Sequence, residues 1–265
     1  MASIILIGDS DISRWPPSLY PSVKTQESPF NSSASKNNNN ASNVEIKNFG
    51  ESGAELSCLL HQTRQWRDEE ASNRNSCYTT NNKHSDRRSS GSKNIFVACA
   101  GENDVGSGRS IDKILETFRT FLDELFPLNG LHSSSNQIST TKNPKTTTTV
   151  PTPAPTNNNH LVFLGPKFEP WLTDDYSSRK QYTKLSNGFQ RTIRKHHGFA
   201  SGKIVYIDCL TLFCTKETAN IPGAVHGGRA MPDDRYFDGD GLHLSDEGYC
   251  VWKEIVDMEI SSLII

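Results

Sequence analysis

Residues 1–13 read MASIILIGDSDIS. Ser3, Ile4, Ile5, Leu6 and Ile7 form a short apolar run rich in β-branched side chains, the pattern of a strand buried on both faces of a parallel sheet. Gly8, Asp9 and Ser10 break it with a flexible residue, a carboxylate and a hydroxyl. Open parallel sheets bind ligands outside the carboxyl ends of their strands, so this is where chemistry belongs in such a fold. Gly-Asp-Ser is also ordinary turn and helix-cap chemistry, so the tripeptide needs support from the rest of the chain.

Working outward, four more strands and their helices follow. Val44 to Phe49 (VEIKNF) is a second strand, closed by Gly50-Glu51-Ser52-Gly53, after which Leu56, Leu59, Leu60 and Thr63 fall on one face of a helix behind Glu55. Asn94 to Ala100 (NIFVACA) is a third strand and runs into Gly101-Glu102-Asn103-Asp104. Ile111, Ile114, Leu115, Phe118, Leu122 and Leu125 then keep the helical period until Pro127. His160 to Leu164 is a fourth strand, followed by a helix marked by Tyr182, Leu185, Phe189 and Ile193, with Gly198 as its expected cap. Lys203 to Cys209 is the fifth. Ser245 caps a last helix that turns Tyr249, Trp252, Ile255 and Val256 inward.

This alternation predicts an α/β fold, a three-layer α/β/α sandwich on a parallel sheet, in a single domain spanning 1–265. Three polar stretches with little to bury, at about 22–43, 68–93 and 129–159, read as low-complexity insertions into a core of roughly 190 residues. Trp15 to Tyr20, with two prolines, reads as a surface loop.

Composition narrows the function classes. A formal net charge of −2 without long blocks gives no electrostatic footprint for nucleic acid, and no run approaches the roughly 18 apolar residues of a membrane span. The amino terminus carries no basic leader and enters the first strand directly, which leads to the expectation of a cytoplasmic protein. Six cysteines lack CxxC or Cys/His metal spacing, and most read as buried thiols.

The strand ends together supply one chemistry. Ser10 is a weak nucleophile until a base takes its proton, and His243 is the candidate, with Asp240 three residues earlier to fix its tautomer. Gly53 and Asn103 are candidate donors to an oxyanion, one through its backbone and one through a neutral amide. Trp15 and Trp171 stand on loops at the same edge and could line a pocket, whereas Lys167 and Glu169 carry no assignment.

Four separated motifs now stand in order: Gly8-Asp9-Ser10, Asn48-Phe49-Gly50-Glu51-Ser52-Gly53, Gly101-Glu102-Asn103-Asp104 and Asp240-Gly241-Leu242-His243. In this the chain resembles the SGNH (GDSL-type) serine hydrolases. The resemblance implies Ser10 as nucleophile and Asp240 and His243 as the rest of a triad. It implies an oxyanion hole of Ser10 N–H, Gly53 N–H and the Asn103 side chain, on a flavodoxin-like five-stranded parallel sheet. The implied reaction is hydrolysis of a small-molecule, glycan or lipid ester through an acyl-enzyme, with no metal or organic cofactor. The chain departs from the pattern at Asp11, where the family has a leucine after its serine.

Three other readings compete. Asp9 and Asp11 after a hydrophobic strand resemble the opening of haloacid dehalogenase-like phosphatases, which need Mg²⁺ and a downstream lysine. Gly50-Glu51-Ser52-Gly53-Ala54 mimics the nucleophile elbow of α/β-hydrolases, with Ser52 attacking, but too few strands precede it. The third is a catalytically silent binding module on the same fold.

Overall fold

The computed structural model describes residues 2–22, 44–77, 93–127, 158–215 and 230–264. The sheet is built from β1 (Ala2–Gly8), β2 (Glu45–Asn48), β3 (Lys93–Cys99), β4 (Asn159–Leu164) and β5 (Ile204–Ile207), all parallel, in the order β2-β1-β3-β4-β5. Between them run α1 (Ser10–Arg14), α2 (Leu56–Cys77), α3 (Glu102–Gly106), α4 (Ile111–Leu125), α5 (Tyr176–Lys195) and α6 (His197–Ala200). After β5 come a short antiparallel pair, β6 (Cys214–Thr215) with β7 (Met231–Pro232), and the last helix, α7 (Asp246–Ile264).

The run that opened the sequence shows why there are three layers. Along β1, Ile5 and Ile7 pack with Leu56, Phe118 and Phe189 of α2, α4 and α5. Ile4 and Leu6 point the other way, to Trp15, Tyr249, Trp252 and Val256. Phe96 and Ala98 against Ile95 and Val97, and Leu161 and Phe163 against Val162 and Leu164, divide in the same manner. Alternate residues of a strand face opposite sides, so both faces must be covered if every position is apolar.

Several expectations change in detail. α2 continues to Cys77, ten residues into the stretch read as an insertion from Asp68. That stretch has little to bury, but Asp68-Glu69-Glu70-Ala71 is compatible with a helix, and Lys47 on β2 sits 3.5 Å from Glu70. The remainder of the three insertions lies mostly outside the described residues. Trp15 to Tyr20 is not a surface loop throughout. Trp15 is buried, stacked on Tyr249 and tilted against Trp252, because α1 turns it under the sheet. It therefore belongs to the core rather than to a pocket. α5 ends at Lys195 with His196 as its cap, and Gly198 lies within α6, where a side chain would meet Ile204. Of the cysteines, Cys99, Cys209 and Cys214 are buried thiols, Cys58 is half-buried and Cys250 is exposed.

The chain leaves β1 for β2 on one side and returns to β3 on the other. Connections diverge there, which opens a crevice beyond the carboxyl ends of β1 and β3.

Candidate active site

A cavity of about 270 Å³ occupies that crevice, lined by Asp9, Ser10, Asp11, Glu102, Asn103 and His243 and walled by Glu169, Trp171, Tyr182 and Leu242. Three of the predicted site residues thus meet in one cavity. Ser10 opens α1, whose cap is Asp9: its carboxylate accepts the Asp11 N–H at 3.1 Å. Gly8 makes the turn possible. Its φ is +153°, and an added side chain would collide with the Cys99 carbonyl. Gln62 of α2 clamps Gly8 from both sides, accepting its N–H at 2.8 Å and donating to its carbonyl at 3.1 Å.

His243 is held by Asp240. The imidazole Nδ1 lies 2.6 Å from Asp240 Oδ2, while Asp240 Oδ1 accepts the Leu242 and His243 N–H groups at 2.9 and 3.0 Å. Those bonds, led by the His243 N–H, hold the Asp240 carboxyl well below the usual carboxylate range. Gly241, at φ +65°, lets the loop fold back on itself. An ionised Asp240 at Nδ1 places the proton there and leaves Nε2 as an acceptor. Ser10 and His243 line the same cavity, and His243 turns Nδ1 to Asp240, which leaves Nε2 for another partner. Arg14 of α1 reaches Asp240 Oδ2 at 3.5 Å, which ties the serine helix to the histidine loop.

Gly53 is not among the residues lining the cavity. It stands at φ +75° in the turn ahead of α2 rather than at the helix start itself. The Gly101–Asp104 motif grips this turn: Asn103 Nδ2 donates to the Ala54 carbonyl at 3.1 Å, and buried Asp104 accepts the Leu56 N–H at 2.7 Å. Asn103 keeps one amide hydrogen for a ligand. Neither the Ser10 nor the Gly53 N–H has an acceptor among the described residues. Ser52 is exposed and outside the cavity.

Beneath the cavity lies a cluster that the sequence did not disclose. Lys167, 1 % exposed, places Nζ 2.6 Å from Asp11 Oδ2, 3.0 Å from Glu102 Oε2 and 3.0 Å from Glu169 Oε1. Burial alone would lower the ammonium, but Asp11, Glu102 and Glu169 outweigh it and raise it well above its ordinary value. Burial also raises Glu102 well above the carboxylate range and, with the neighbouring Asp11, pushes Asp9 up to about 7. No local signal could have found this cluster, since Lys167 is 156 residues from Asp11 and 65 from Glu102.

No protein-family profile matches the chain, and no curated protein matches it. Solved structures do. A Streptococcus pneumoniae protein named for platelet activating factor is 13% identical with TM-score 0.54, over 97% of this chain and 84% of that one. A catalytic mutant of an acetylxylan esterase from Geobacillus stearothermophilus is 13% identical with TM-score 0.51, over 98% and 94%. A Bacteroides fragilis protein described as an acylhydrolase is 11% identical with TM-score 0.52, over 98% and 88%. The chain therefore shares the fold of these three structures, a parallel-sheet α/β fold of the kind that the resemblance carried by its four motifs implies.

Proposed function

We propose that this chain is a serine hydrolase of carboxylic esters, with Ser10 as nucleophile, His243 as base and Asp240 as the residue that orients it. The observation that carries the reading is the convergence in one cavity of a serine at a helix start, an Asp-fixed imidazole and an amide with a hydrogen to spare.

Ser10 Oγ attacks the ester carbonyl as its proton passes to His243 Nε2, and Asp240 stabilises the imidazolium so formed. The Ser10 N–H and the Asn103 amide receive the developing oxyanion, and the Gly53 N–H, in the turn that Asn103 holds, joins them once substrate draws that turn in. His243 returns the proton to the departing alcohol. Water then cleaves the acyl-enzyme by the same route, and Ser10 regains its proton. A cavity of about 270 Å³ walled by Trp171, Tyr182 and Leu242 suits a short acyl group better than a long chain.

The phosphatase reading has less support: Asp9 is buried and caps α1 through the Asp11 N–H, and the second aspartate it needs is bound to Lys167. The test is hydrolysis of 4-nitrophenyl acetate and, with added Mg²⁺, of 4-nitrophenyl phosphate by the wild type, Ser10→Ala and Ser52→Ala. Esterase activity lost only in Ser10→Ala is expected. Phosphatase activity that survives Ser10→Ala, or esterase activity lost only in Ser52→Ala, contradicts the assignment.

A further inference from the structure

We propose that Lys167 is the positioning residue of this cleft, fixing through three carboxyl groups the relative placement of Ser10, Asn103, His243 and the Trp171 wall. The inference rests on the esterase reading for the identity of the groups being placed.

The argument begins with where the partners sit along the chain. Asp11 follows Ser10, and Glu102 precedes Asn103. Glu169 accepts the Trp171 indole N–H at 2.5 Å through the oxygen that Lys167 does not use. Asp11 also reaches the fourth group: its second oxygen accepts the N–H of Leu244, the residue after His243, at 3.2 Å. Tyr249 of α7 donates to the Asp11 carbonyl at 2.9 Å and closes that side. Every bond of Lys167 therefore ends one or two residues from a group that the reaction or the substrate uses.

The geometry leaves this hub little freedom. An ammonium has three protons, and Lys167 has three carboxyl partners at hydrogen-bond distance. Its own backbone N–H binds Glu102 again, at 2.7 Å, so Glu102 is held from two directions. Lys167 does not line the cavity, whereas Asp11, Glu102 and Glu169 do. It acts through them and does not touch substrate.

Stability is a poor explanation for such a cluster. Desolvating one ammonium and several carboxyls costs several kcal/mol per ion, and apolar replacements of similar volume are often neutral or stabilising. What apolar packing cannot supply is a directional link between four segments of the cleft. The Asp11 departure from the leucine seen after the serine in GDSL-type hydrolases acquires a role here, because a leucine could bind neither Lys167 nor the Leu244 N–H.

The experiment compares Asp11→Asn and Lys167→Met with the wild type in the full chain, after thermal melts and circular dichroism establish folding. Asp11→Asn keeps the volume and leaves Lys167 two carboxyl partners, so it decides the question if Lys167→Met fails to fold. We expect kcat on 4-nitrophenyl acetate, and the rate at which a fluorophosphonate labels Ser10, to fall by about tenfold to a hundredfold, with KM within about threefold. In the double variant the losses should fall short of additive, since both changes break one linkage. A folded Asp11→Asn enzyme with wild-type kcat and labelling rate overturns the proposal. Absence of Ser10 labelling in the wild type overturns the esterase reading instead, and the proposal with it.

Discussion

Two aspartates flank the same cleft and have opposite environments. Asp240 is 40 % exposed at its side chain and receives two backbone N–H groups and an imidazole, which hold its carboxyl far below the ordinary range. Asp9 is 2 % exposed, accepts one backbone N–H, and has Asp11 for a neighbour, so its pKa is pushed up to about 7. The difference separates the site into an exposed arm that keeps a charge beside His243, the proposed base, and a buried floor of paired charges. Residue type does not decide which role an aspartate takes; the count of donors against the depth of burial does.

The exposed arm breaks most readily. Asp240→Asn leaves the loop shape but no longer favours the Nδ1–H tautomer, and kcat should fall about 10³-fold or more with little change in melting temperature, measured by initial rates and calorimetry. A loss under tenfold would mean that the pair does not orient the base.

The second contrast is between Trp15 and Trp171. Trp15→Ala empties a buried site among Tyr249 and Trp252 and should cost about 3–5 kcal/mol of unfolding free energy, while kcat and KM of the folded fraction hold. Trp171 is 46 % exposed, so Trp171→Ala should change stability by about 0.5 kcal/mol or less and raise KM instead.

Asp9 is tested through the pH dependence of stability. Its folded pKa lies above the unfolded value, so the unfolded chain releases this proton first. The contribution is therefore intact below about pH 4 and is lost as pH rises to about 7. Asp9→Asn, which preserves a cap oxygen, should flatten urea midpoints measured between pH 4 and 7. Unchanged slopes would show that folding does not shift the Asp9 carboxyl.

The fold was legible because the central strands carry unbroken apolar runs, Ile4 to Ile7, Ile95 to Cys99 and Leu161 to Leu164, which need cover on both faces of the sheet. Asp240 and His243 were legible because they lie three residues apart and interact locally. Asn103 was legible from its strand end, although the Asp104 beside it, which anchors the Gly53 turn, carries no signal of that duty. Lys167 and Glu169 were not legible, since what makes them matter is burial against residues brought together only by the sheet. Trp15 misled for a related reason: two following prolines mark a loop but say nothing of which way α1 turns the indole. The length of α2 was underestimated because low apolar content removes the periodic signal without removing helix propensity.

The most direct test of the account is to identify the residue that carries the covalent adduct. The wild-type chain is treated with a fluorophosphonate, digested and mapped by mass spectrometry. The account predicts a single modified peptide bearing the adduct on Ser10, abolished in His243→Ala. An adduct on Ser52, or none at all in a chain that still hydrolyses 4-nitrophenyl acetate, would contradict it.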